Sequence, residues 1–361
     1  MLADATLSTL VDGYGGYGNF NNVRRLMRKL FERHVTGVCM RTSSVPRPIP
    51  SSAAKDGNPA AAAGAAHGRD GKMDVQCALD CRSLLGEGPV WDVGEQRLYW
   101  VDIKRRQIHR FAPDTGADET WPMPEDIGAL APREGGGLVV ALKSGFYFYH
   151  LIDRRLVPAA LPKDEPEHNR FNDGKADRQG RFWAGTMDEG EKLPTGGLFR
   201  LQANLACHKM IDGIICSNAL CWSPDSRVMY YADSGQRTVW AWNFDPATGE
   251  IDNRRVFVRI ASADGVPDGA TVDSEGFVWI AHWGGWRIVR YDPAGRIART
   301  IMLPVAQPTC PMFGGPGLDI MFVTSASIGL GAEARAAQPQ AGSLFAVAAG
   351  VRGLPEARFR G

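Results

Sequence analysis

Asp177-Arg178-Gln179-Gly180-Arg181-Phe182-Trp183-Ala184-Gly185 is a polar turn that runs straight into an apolar, aromatic strand. The same layout recurs at 94–102, 135–142, 224–233, 274–281 and 317–325, ending in strands such as Leu98-Tyr99-Trp100-Val101 and Ile320-Met321-Phe322-Val323. The residues that open these strands, Leu98, Leu138, Phe182, Val228, Phe277 and Ile320, lie 40 to 49 residues apart, the period of four-stranded propeller blades. A further strand and turn follow each copy, as in Gln107-Ile108-His109-Arg110-Phe111 before Pro113-Asp114-Thr115-Gly116. Apolar and β-branched residues alternating with polar ones between Gly, Asp and Pro are hairpin signals. The pattern predicts an all-β, six-bladed β-propeller in which residues 74–83 complete the last blade.

Outside the repeats the chain changes character. Residues 1–72 carry ten Lys+Arg against five Asp+Glu and include a Pro/Ser/Ala-rich run from Ser43 to Ala66, a composition that buries too little apolar surface to order itself. Asn22 to Val35 could form a basic helix. We expect 1–72 to be a disordered or weakly helical N-terminal extension and 73–361 to be the propeller domain, with Met73 a natural start. An Arg-rich, acid-poor beginning also fits an organelle transit peptide, but the plain extension is the preferred reading.

The net charge of +1 and the absence of any apolar window near the roughly 18 residues of a membrane span argue against nucleic-acid and membrane partners. A small-molecule ligand and a monomer or weak homo-oligomer are expected. Seven cysteines without Cys-x-x-Cys pairs read as reduced thiols in a cytoplasmic protein.

A propeller gathers the inner ends of its blades around one axis, so polar residues at blade entrances can converge from distant parts of the sequence. Four entrances carry them: Glu87 in Gly-Glu-Gly-Pro, Arg170 and Asn172 in Asn169-Arg170-Phe171-Asn172-Asp173-Gly174-Lys175, Asn218 in Ser217-Asn218-Ala219-Leu220, and Asp268 in Pro267-Asp268-Gly269. Two carboxylates and an amide oxygen form a hard, all-oxygen set that suits Ca²⁺, Mg²⁺ or Mn²⁺ and, less typically, Zn²⁺. Each residue also has a plain reading: Glu87 as an exposed turn residue, Asn218 as a strand cap, Asp268-Gly269 as a tight turn. Their shared blade position favours the site. Asp102, Asp233 and Asp273 read as turn or inter-strand partners, His168, His208 and His282 as ordinary histidines, and Cys216 and Cys221 as small apolar groups.

These motifs, with Leu85-Gly86-Glu87-Gly88-Pro89-Val90-Trp91 and Phe182-Trp183-Ala184-Gly185-Thr186-Met187, closely resemble the gluconolactonase / senescence-marker-protein (regucalcin) / luciferin-regenerating-enzyme family over about residues 74–348. The resemblance implies one divalent cation on the propeller axis (Ca, Zn, Mg, Mn or Fe) and hydrolysis of a sugar lactone. By motif, Glu87, Asn218 and Asp268 fall on the family's metal ligands, and Arg170 and Asn172 on its substrate contacts. Glu189 is a weaker match that would reach the sugar. Where the family commonly has Gly after the metal-binding Asn, this chain has Ala219, a change that matters if the backbone there needs positive φ.

The expected chemistry needs a Lewis acid on the carbonyl and a base for water, with Asp268 as that base. A calcium-binding, regulatory propeller without essential catalysis is the alternative. It would not need Arg170 and Asn172 together.

Overall fold

The computed structural model describes residues 74–361; the expected extension at 1–72 lies outside the described residues. Six four-stranded antiparallel sheets follow one another along the chain, so the expected propeller is the fold. Their inner strands are Gly86–Asp92, Ile127–Pro132, Asn169–Ala176, Ser217–Trp222, Val266–Val272 and Pro308–Gly314, numbered here as blades 1 to 6. The repeated aromatic runs are the second strand of each blade, not the first. These second strands are buried almost throughout because neighbouring blades cover both faces.

The repeat is legible because its turn has a specific chemistry. The Asp177 carboxylate accepts from the backbone N–H of Gln179 and Arg181 (3.0 Å each) and from Trp183 Nε1 (2.9 Å), while Gly180 takes φ +84°. In blade 5 Asp273 does the same for Glu275, Phe277 and Trp279, with Gly276 at φ +84°. One carboxylate thereby fixes a turn and anchors the indole that packs between blades. Trp183 meets Trp222 of blade 4 at 6.0 Å and Trp279 meets Phe313 of blade 6 at 6.1 Å between ring centroids.

Val75–Leu79 pairs antiparallel with Leu344–Ala348, so residues from before blade 1 complete blade 6, as expected from sequence. After Ala348 the chain runs along one end of the propeller. The Arg352 carbonyl accepts from Ser274 N–H (2.8 Å), Gly353 N–H donates to Leu318 O (2.7 Å), and Phe359 N–H donates to Pro132 O (2.8 Å). That path joins blades 5 and 6 to blade 2.

A chain beginning at Met73 is expected to melt cooperatively at the temperature of the full chain. One beginning at Asp80 lacks the closing strand and bares the edge of Leu344–Ala348, so it should melt several degrees lower and aggregate. Equal melting of the two by circular dichroism would show that the closing strand contributes little.

Candidate active site at the propeller axis

A regular strand points its side chains alternately to the two faces of its sheet, which in a propeller means into the neighbouring blades. Reaching the axis requires a break in that alternation. All six inner strands have one, with the pairing register shifting between Glu87 and Val90, Ile127 and Ala129, Phe171 and Asp173, Asn218 and Cys221, Pro267 and Ala270, and Pro308 and Pro311. Bulges of this kind bend a strand and re-aim its side chains. Glu87, Asn172, Asn218 and Asp268 lie in or beside four of them, within strands and about 95% buried, rather than in exposed turns. The other two bulges carry Gly128, where a Cβ would come within 2.3 Å of the Phe171 carbonyl, and Thr309, which bonds Gly86 O and Thr324.

All six residues expected from sequence line one cavity of about 410 Å³: Glu87, Arg170, Asn172, Glu189, Asn218 and Asp268. A relay of hydrogen bonds orients the amides. Arg170 Nη1 donates to Asn172 Oδ1 (2.7 Å), and Asn172 Nδ2 donates to Ser217 O (2.9 Å) and Asn218 Oδ1 (3.3 Å). Asn218 Nδ2 donates to Ser234 Oγ (2.8 Å), which itself donates to Pro267 O (2.6 Å) beside Asp268. With its N–H₂ committed to Ser234, Asn218 keeps its oxygen as the available donor atom.

Hydrogen-bond partners separate structural acids from site acids. Asp102 accepts from the N–H of Leu84, Leu85 and Arg105, and Asp233 from Ile215, Cys216 and Gly235; these and Asp273 are structural, as read from sequence. Glu87 accepts only from Gly88 N–H (3.1 Å), and among the described residues neither Glu87 nor Asp268 forms an ion pair. Burial, reinforced by Asp173, raises the Glu87 carboxyl to about 8 against the lowering effect of Gly88 N–H, Asp268 and Arg170. Asp268 is raised by burial and then by Glu87. Two like charges facing one another without a cation fit a hard divalent ion, with Asn218 Oδ1 as the third oxygen. Among the described residues no group of three or more His, Cys, Asp or Glu could hold a metal ion.

The cavity wall also shows what sequence reasoning missed. Glu189 is held by Lys143 Nζ (3.0 Å) and Lys104 Nζ (3.8 Å), so it belongs to a charged clamp at the rim. Cys216, expected to pack as a small apolar group, lines the cavity with its Sγ 3.7 Å from Asn218 Nδ2. Its position two residues before Asn218 was the available signal. Lys104, Arg237, Trp283 and Ile328 complete the wall from turns and strand ends that carry no motif. His282 is a core histidine, bonded to Asp264 O and Tyr291 Oη, with burial pushing its pKa down to about 4.

Gly88 and Ala219, the residues after Glu87 and Asn218, both take left-handed backbone, at φ +53° and +56°. The positive φ is therefore required, and Ala219 meets it with a Cβ. Ala219→Gly relieves roughly 1–2 kcal/mol of left-handed strain and forfeits about 0.8 kcal/mol of methyl burial. A small rise in melting temperature is expected, and a clear fall would contradict this backbone assignment. The carboxyl pair generates a second expectation. Because both folded-state pKa values are raised, the pair's own contribution to cation-free stability is greatest below the ordinary carboxylate range and falls as pH climbs towards 8. Glu87→Gln should therefore stabilise the cation-free protein at pH 8 by about 1–3 kcal/mol and change little at pH 4; thermal melts at the two pH values check it.

Comparison with known proteins agrees with this geometry. The family pattern described as SMP-30/Gluconolactonase/LRE-like region matches residues 85–327. An L-arabinolactonase of Azospirillum brasilense is 38% identical over 288 residues, covering 78% of this chain and 94% of its own. A 6-deoxy-6-sulfogluconolactonase of Pseudomonas putida is 36% identical, covering 80% of this chain and 99% of its own. The crystal structure of a calcium-binding regucalcin from Agrobacterium tumefaciens superposes with a TM-score of 0.77 at 28% identity, covering 80% of this chain and 98% of that one. With its six blades and its axial cavity, the chain belongs to the SMP-30/gluconolactonase/LRE-like family.

Proposed function

We propose that the chain hydrolyses a sugar lactone to its aldonic acid in the axial cavity, using one divalent cation held by Glu87, Asn218 and Asp268. The observation that carries this reading is the facing pair of buried carboxyls without a counter-ion, set beside an oriented amide oxygen and a buried arginine in one cavity. Lactone chemistry is supported by relatives named as lactonases that match nearly their whole length.

When bound, the cation would supply Lewis acidity to the lactone carbonyl. The chain's own residues do the rest. Water attacks the carbonyl carbon as Asp268 accepts its proton, and the tetrahedral adduct collapses with cleavage of the ring C–O bond as Asp268 returns that proton to the departing ring oxygen. Arg170 uses only Nη1 for its protein bonds, to Phe171 O and Asn172 Oδ1, which leaves Nε and Nη2 for substrate oxygens and the developing negative charge. Asn172, with hydrogen bonds to Arg170, Asn218, Ser217 O and Cys216 Sγ, orients Arg170 and Asn218 beside the substrate space it lines. A purely calcium-binding role would leave Arg170's spare donors unexplained, and we favour the enzyme for that reason. Residues 73–361 would suffice for this activity.

The test is lactone hydrolysis on gluconolactone, galactonolactone, arabinonolactone and xylonolactone after chelation, with Ca²⁺, Mg²⁺, Mn²⁺ and Zn²⁺ returned singly. Chelation should abolish turnover and leave the β-type circular dichroism. Asp268→Asn should weaken cation binding and lower kcat, and saturating cation should restore only the binding part. Arg170→Gln should hold cation affinity within a few-fold and lose roughly 1.5–3 kcal/mol of transition-state stabilisation, the value of a hydrogen bond to a charged group. Full activity of cation-saturated Asp268→Asn would remove Asp268 as the base.

A further inference from the structure

Each inner strand is the edge of its sheet, so its axis-facing backbone groups have no strand partner. Buried backbone groups need partners. Two are held by side chains from the inner strand of blade 3, just past Asn172. Asp173 Oδ2 accepts from Leu220 N–H (3.1 Å), two residues beyond Asn218 on blade 4. Lys175 Nζ donates to Ala270 O (3.0 Å), two residues beyond Asp268 on blade 5. The second bond bypasses blade 4 and links blade 3 to blade 5. On its other side the same segment is wedged against blade 6, where a Cβ on Gly269 would lie 2.4 Å from Cys310 Sγ.

Lys175 is only 7% exposed, and a buried ammonium needs an anion. Its ion-pair partner is Glu356 Oε1 at 3.7 Å, from the segment after the last strand. That segment lies beyond the family match at 85–327 and is pinned by Phe359, fully buried against blades 2 and 3, and by Arg360 N–H on Gly180 O (3.0 Å). Charges therefore alternate from Glu356 through Lys175 to Asp173, just before the acid pair.

We propose that Lys175 is a positioning residue for Asp268, and that Glu356 is the counter-ion holding it in place, so that the C-terminal segment is a working part of the site. This rests on the reading of Glu87, Asn218 and Asp268 as cation ligands. Lys175 touches no substrate. It fixes the backbone that carries the Asp268 carboxylate, and Glu356 acts only through Lys175.

Calorimetric titration of the full-length chain with Ca²⁺, Mn²⁺ and Zn²⁺, alongside lactone kinetics at saturating cation, tests it. Lys175→Met should raise the cation Kd tenfold or more and lower kcat with little change in KM. Glu356→Gln should raise Kd several-fold, Glu356→Asp should stay close to wild type because it keeps the charge, and Lys175→Met with Glu356→Gln should be no worse than Lys175→Met alone. If Lys175→Met does not fold, the Gln and Asp variants at 356 carry the test. A cation Kd unchanged in Lys175→Met with only its melting temperature lowered, or losses that multiply in the double variant, would overturn the proposal. So would equal effects of Gln and Asp at 356. A wild-type chain that binds none of the three cations overturns the reading of the site and this inference with it, whereas wild-type binding with normal binding by the variants overturns the inference alone.

Discussion

The break in register near the same point of every inner strand is the constraint on which the site depends. Blades pack face to face, so a regular inner strand spends every side chain on its two neighbours and offers the axis only its backbone edge. One extra residue on the inner strand, as two opposite one or one opposite none on the second strand, turns the chain locally and frees a side chain for the axis. The bulge therefore serves geometry first. A polar centre can exist inside an all-β protein because its side chains come from bulges, while the alternating positions around them stay apolar.

That arrangement divides the acids into two populations with different physics. Asp102, Asp177, Asp233 and Asp273 each collect several N–H donors, which hold turns and strand ends together. Glu87 and Asp268 are as buried and have almost no donors, so their burial opposes ionisation. The same residue types at similar depth are thus a scaffold in one place and an unsatisfied electrostatic demand in another. Such a demand, destabilising by itself, is what a binding site for a small hard cation looks like before it is met.

The fold was readable in the sequence because its signal is local. A polar turn running into an apolar strand can be recognised within a ten-residue window, and the spacing of its six copies gives the blade count; blades 3 and 5 add an Asp-x-x-Gly turn with a Trp six residues after the Asp. Five of the six expected cavity-lining positions were readable because each sits in a short motif on an inner strand, whereas Glu189 lies past the end of a second strand. Features that depend on pairing across strands were not. The bulges are a property of two strands together, the clamp on Glu189 joins turns from three blades, and Cys216 faces the cavity because of the register shift that follows it. Asn172, read from sequence as a substrate contact, lines the cavity and also makes four hydrogen bonds to protein that its motif alone does not reveal.

Ala219 shows how sequence and geometry combine. The left-handed backbone after Asn218 is imposed by the bulge, and it recurs at Gly88 after Glu87, so the strain belongs to the architecture and not to the local sequence. A Cβ at φ +56° is tolerated because it is fully buried among Cys221, Ala270 and Val272 and recovers part of the strain as packing. This couples the blade 4 and blade 5 inner strands directly beneath two of the cavity's oxygen donors. Lys175 reaches the Ala270 carbonyl in the same layer. The position of Asp268 is therefore set by packing from blade 4 and a hydrogen bond from blade 3, two constraints on one short stretch of backbone from strands that share no ladder with it.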